Sequence, residues 1–73
     1  MKNQDQNNGT LTQGVRVRLT HDFKNGFNEV IVEAGCLGEV VKGKERGTDV
    51  YPVRFEGLAV PLYTRRAHLE LVQ

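Results

Sequence analysis

The sequence predicts an all-β domain, a five-stranded small barrel, on three observations. Five short segments after Gly14 alternate apolar and polar residues with the two-residue period of a strand. Glycine-bearing turns separate them, and they leave almost no room for a helix. Five strands in a chain of 73 residues mean a closed or nearly closed sheet.

The first strand is Val15-Arg16-Val17-Arg18-Leu19, with Val15, Val17 and Leu19 facing inward and Arg16 and Arg18 outward. Residues 20–28 then make a long connection that holds Phe23, Lys24, Asn25 and Phe27 and leads into Glu29-Val30-Ile31-Val32. Asn25-Gly26 is the strongest turn signal, because both residues tolerate positive φ, so a hairpin-like excursion with its tip near Asn25 is expected. Long ordered loops in compact domains tend to be functional. One of Phe23 and Phe27 is expected to plug the barrel end and the other to stand exposed as an interface anchor.

Ala34-Gly35-Cys36-Leu37-Gly38 bends the chain into the second strand, Gly38-Glu39-Val40-Val41-Lys42, where Gly35 and Gly38 permit a bulge or a close approach. Residues 42–49 form a polar exposed loop before the third strand, Tyr51-Pro52-Val53-Arg54-Phe55. Glu56-Gly57 turns into a fourth strand, Ala59-Val60-Pro61-Leu62-Tyr63. Pro52 and Pro61 cannot donate to a ladder, which places each at an edge or where its nitrogen faces outward. Thr64-Arg65-Arg66-Ala67-His68 has room for one helical turn before the last strand, Leu69-Glu70-Leu71-Val72. The expected core gathers Val15, Val17, Leu19, Val40, Val53, Phe55 and Leu71.

Residues 1–13 are rich in Asn and Gln and are expected to be a disordered polar tail, with Leu11 as a late anchor on the barrel; residues 14–73 are the domain. A domain of this size buries only about 60% of the surface its unfolded chain exposes, so its stability is modest and association with a partner or with itself is a natural supplement. An intramolecular disulfide is excluded, since Cys36 is the single cysteine. Cys36, His21 and His68 lack the paired spacing of a zinc site, and no metal or other cofactor is expected. The amino terminus lacks the apolar core of a secretory signal and no run approaches a membrane span, so the expected location is the cytoplasm.

Ten Lys and Arg against nine Asp and Glu give a net charge of +1, which argues against a protein that works by neutralising many phosphates. Local placement still allows a basic patch of Arg16, Arg18, Arg54, Arg65 and Arg66, to which a nucleic-acid reading adds Lys42 and Lys44. The alternative is ordinary surface pairing of the arginines with Glu39, Glu56 and Glu70. Tyr51 and Tyr63 read as half-buried sheet residues and His68 as a surface or capping residue. His21-Asp22 looks like a dyad on paper, but sequence neighbours seldom face one another and no nucleophile is marked. No phosphate fingerprint, nucleophile elbow or paired metal motif occurs.

The run Gly14-Val15-Arg16-Val17-Arg18-Leu19, then Gly35-Cys36-Leu37-Gly38-Glu39-Val40-Val41, Tyr51-Pro52-Val53-Arg54-Phe55 and Ala67-His68-Leu69-Glu70-Leu71-Val72 resembles the SH3-like small barrels over about 60 residues. Similar strings occur in the small peripheral E-type protein of photosystem I and in the variable chain of ferredoxin:thioredoxin reductase, which imply a scaffold docking on a larger partner. They occur also in KOW modules, which imply nucleic-acid or protein contact, and in type II dihydrofolate reductase, which implies an enzyme. The reductase family lines its pore with a Val-Gln-Ile-Tyr segment; the matching segment here is Val60-Pro61-Leu62-Tyr63, where Pro61 lacks the amide that contacts ligand. The function expected is therefore a non-catalytic module that binds a larger protein or itself, through the residue 20–28 loop with Phe23, Lys24, Asn25 and Phe27, the residue 42–49 loop and adjacent strand faces, with Arg16, Arg18, Arg54, Arg65 and Arg66 counted among the partner-binding residues. A nucleic-acid module is the alternative, and no membrane role is expected.

Overall fold

A computed structural model describes residues 11–44 and 46–72. Its strands are β1 (Arg16–Leu19), β2 (Phe23–Lys24), β3 (Val30–Val32), β4 (Leu37–Val40), β5 (Val50–Phe55), β6 (Leu62–Arg65) and β7 (Leu69–Leu71), with a 3-10 turn at Arg66–His68. Five of them form one antiparallel, strongly curled sheet in the order β6-β5-β4-β1-β7, while β2 and β3 pair as a separate hairpin. The all-β class, the five main strands and the turn before the last strand are as the sequence predicts.

Alternation builds the core. Along β1, Val17 and Leu19 are buried while Arg16 and Arg18 are exposed. The register carries this across the sheet, so that Leu71, Val17, Gly38 and Phe55 share one inward row. Val40, Val53 and Leu62 form the next. Val17 and Val53 are 0% exposed, and Leu19, Val32, Tyr51, Phe55 and Leu69 complete the buried cluster, against which Val15, Phe23, Cys36 and Leu71 pack in part. Gly38 lies where this row is tightest: a Cβ there would stand 2.8 Å from Val53 Cγ1, 2.9 Å from Phe55 Cδ1 and 3.0 Å from the Arg54 carbonyl oxygen. The close approach anticipated for this glycine is what lets the sheet curl.

The fourth main strand begins later than the alternation suggests. Ala59 and Val60 lie in an exposed bend, and β6 runs through Thr64 and Arg65, shortening the expected helical turn to Arg66–His68. Thr64 is the reason: it faces inward and is buried, but its hydroxyl donates to the Leu62 carbonyl at 3.2 Å, so a polar residue occupies a core position unpenalised. Pro52 sits in an interior strand, between β4 and β6, not at an edge. Its carbonyl accepts the Val41 N–H at 2.8 Å, and its ring nitrogen forgoes only the return bond, beyond the end of β4.

The two tyrosines are not half-buried. Tyr51 is enclosed, and its hydroxyl accepts the Leu11 backbone N–H at 3.0 Å. Leu11 is itself 2% exposed and belongs to the core cluster, while residues 1–10 lie outside the described residues. Tyr63 alternates to the outer face and is exposed.

Candidate protein-binding surface

The excursion between β1 and β4 is the hairpin β2–β3, in register Phe23↔Val32 and Lys24↔Val30 with an irregularity between the two pairs. Asn25 organises its tip. Its backbone N–H donates to the Glu29 carbonyl at 3.0 Å, and its carbonyl accepts the Asn28 N–H at 3.1 Å. The side-chain Oδ1 accepts the N–H groups of Phe27 at 2.8 Å and Glu29 at 3.0 Å, and Nδ2 donates to Glu29 Oε1 at 2.8 Å. The positive φ falls at Asn28, at 65°, and not at Asn25 or Gly26 where the sequence put it; an asparagine there tolerates the left-handed conformation.

This scaffold holds Phe27 with 85% of its surface in solvent. Phe23, by contrast, is half-buried and packs against the core, and Lys24 is exposed beside it. The placement of the two phenylalanines, one packed against the core and one in solvent, is as expected. Val30 and Ile31 on β3 are exposed as well, so the hairpin carries three large apolar side chains in solvent.

The arginines do not gather into one patch. Arg16 and Arg54 stand on either side of Glu39 along one outward row. Arg18 lies opposite Glu70 and pairs with it at 3.6 Å, both side chains largely solvated. Arg65 is on β6 opposite Val50, three strands from β1. Arg66 folds back, its guanidinium donating to the Leu69 carbonyl at 2.8 Å and its backbone N–H to the Asp49 carbonyl at 2.8 Å. Lys42 and Lys44 are exposed in the β4–β5 loop, of which Glu45 lies outside the described residues.

His21 and Asp22 turn to different partners. The His21 ring contacts Thr20 Oγ1 at 2.7 Å and stacks on His68 with centroids 4.4 Å apart, while Asp22 Oδ1 accepts the Ala34 N–H at 2.8 Å. The stack binds the loop after β1 to the 3-10 turn, a contact that residues so distant in sequence do not advertise. Among the described residues no three metal-ligating side chains converge and no helix is long and apolar enough to cross a membrane.

Two clefts share the turn after β5. One, of about 540 Å3, is lined by Arg16, Glu39 and Arg54 of the outward face and by Gly57 and Leu58 of the turn. The other, of about 500 Å3, runs from Ile31 to Cys36 and meets Glu56 and Leu58. Neither was visible in the sequence, because each joins segments about 15 residues or more apart that only the folded sheet brings together. No family model matches the chain, and comparison with curated proteins and with solved structures finds no significant match.

Proposed function

We propose that this chain is a non-catalytic protein-binding module of SH3-like architecture that docks on a larger protein through the β2–β3 hairpin. The observation that carries the reading is the tip itself: five hydrogen bonds between Asn25 and its neighbours fix a turn whose one large side chain, Phe27, is 85% exposed. A ring held in solvent gains nothing for the fold. A backbone fixed before binding loses little further entropy on binding, and aromatic side chains dominate interface energetics. Val30 and Ile31 are exposed on the same hairpin.

The scattered arginines favour this reading over nucleic acid. Glu39 between Arg16 and Arg54, and Glu70 against Arg18, place a carboxylate beside each of these cations, which opposes a phosphate backbone.

Affinity capture from extract of the source cells, with Phe27→Ala as control, tests the proposal. Proteins retained by the wild type and lost by a variant of unchanged melting temperature support it. Identical capture by both chains, with sedimentation showing each a monomer, refutes it.

A further inference from the structure

The register decides which backbone groups of β6 turn away from the sheet. The Arg66 N–H donates to the Asp49 carbonyl at 2.8 Å, so that pair is hydrogen-bonded and the antiparallel ladder alternates from there. Thr64 and Leu62 therefore bond toward β5, opposite Tyr51 and Val53, and the backbone N–H and C=O of Tyr63 and Arg65 point outward. Pro52 agrees with this phase: it stands opposite Tyr63 and gives its carbonyl to Val41 on its other side. β6 is the end strand of the five-stranded sheet, and among the described residues no strand pairs with its outer edge.

That edge is asymmetric in what it offers. Arg65 opens the 3-10 turn, so its carbonyl accepts the turn's first bond and its N–H alone is left for the edge. Pro61, one step before β6, has no N–H and by the same alternation presents a carbonyl only. Along the edge the free groups are an acceptor at Pro61, a donor and an acceptor at Tyr63, and a donor at Arg65. Reversed, the series is its own complement. A strand that fits must set a donor opposite Pro61 and a lone acceptor opposite Arg65, and β6 of a second copy does both.

The side chains favour the same occupant. Elsewhere the outward rows are charged, with Arg16, Glu39 and Arg54 in one and Arg18 and Glu70 in another. The outward row that reaches the β6 edge is Val41, Pro52 and Tyr63, and it ends with Tyr63 60% exposed. We propose that the chain forms a two-fold dimer by antiparallel pairing of β6 with β6 of a second copy, centred on Tyr63. Tyr63 then exchanges both backbone bonds with its counterpart, each Arg65 N–H donates to the Pro61 carbonyl across the axis, and the two tyrosine rings meet on the outward face. The two Arg65 residues lie four positions apart along the paired strands, about 13 Å, which keeps their like charges separate. This surface is distinct from the β2–β3 hairpin and does not depend on the docking reading.

Sedimentation equilibrium of the full chain from about 10 µM to 1 mM is expected to show a monomer–dimer equilibrium, since so short an interface belongs to the weak class. In a mixture of carbon-13-labelled and unlabelled chains, an NMR contact is expected between Hα of Leu62 and Hα of Thr64 of the other copy, the non-hydrogen-bonded pair beside the axis. That contact needs no variant and decides the register by itself. Arg65→Pro removes the outer donor at a residue whose φ is already −67°, so it is expected to melt as the wild type in dilute solution and to dimerise about tenfold or more weakly. Arg65→Ala loses the side chain, keeps the N–H and is expected to dimerise as the wild type does. Phe27→Ala is expected to leave the dimer intact while losing partner capture, which separates failure here from failure of the hairpin reading. A monomer throughout, dimerisation lost in Phe27→Ala, equal weakening by Arg65→Ala and Arg65→Pro, or contacts of β6 with residues 1–10 of its own chain in place of a second copy overturns the proposal.

Discussion

Replacing Gly38 by alanine adds one methyl group at the point where the sheet has least room. The new carbon meets Val53 Cγ1 at 2.8 Å, Phe55 Cδ1 at 2.9 Å and the Arg54 carbonyl oxygen at 3.0 Å. Val53 and Phe55 are fully enclosed and the third neighbour is backbone, so none can swing aside. Overpacking of this kind costs about 1–3 kcal/mol, and the absence of slack places Gly38→Ala at the upper end. Alanine's better intrinsic fit to a strand returns about 0.5–1 kcal/mol, leaving a net loss of about 2 kcal/mol. In a domain this small that lowers the melting temperature by roughly 8–16 °C. Gly26→Ala is the matched control: a Cβ there meets nothing within 4 Å and its φ is not in the left-handed region, so a change within about 0.5 kcal/mol is expected. Urea and thermal melts followed by circular dichroism measure both. A Gly38→Ala protein as stable as the wild type, or as the Gly26→Ala control, refutes the claim that this row sets the curl.

Leu11→Ala is expected to cost about 2–4 kcal/mol, because a side chain 2% exposed leaves a cavity beside the sheet, and urea melts of the full chain will show it. Tyr51→Phe removes the acceptor of the buried Leu11 N–H and is expected to cost about 1–3 kcal/mol by the same measurement. Glu70→Gln is expected to change stability by less than about 0.5 kcal/mol, since its partner Arg18 is equally solvated; a larger effect at physiological salt contradicts that assignment. Asn25→Ala removes three side-chain hydrogen bonds from the hairpin tip, and hydrogen exchange at Phe27 and Glu29 should quicken while exchange in β1 and β5 is unchanged.

The sequence revealed strands wherever an inward apolar residue stood between outward charges, as Val17 does between Arg16 and Arg18, because burial of one face fixes register. It misplaced the fourth main strand for the opposite reason. Thr64 is polar and Val60 apolar, yet Thr64 faces the core with its hydroxyl satisfied locally and Val60 lies in the solvent-exposed bend. Leu11 gave no periodic signal, being alone among polar neighbours, and its burial depends on a hydroxyl 40 residues away. At the candidate surface, the aromatic content and turn signal of the excursion were legible, but not which phenylalanine faces out. Phe23 stands opposite buried Val32 in the register while Phe27 lies in the tip beyond the paired residues, and neither position is a property of local composition.

The docking role proposed for the hairpin requires that Phe27 be presented by a turn already ordered in the free protein. Backbone nitrogen-15 relaxation across residues 25–29 of the unliganded chain measures this directly. Order parameters near 0.85, matching those of β1 and β5, are the expected result; values below about 0.6 contradict it.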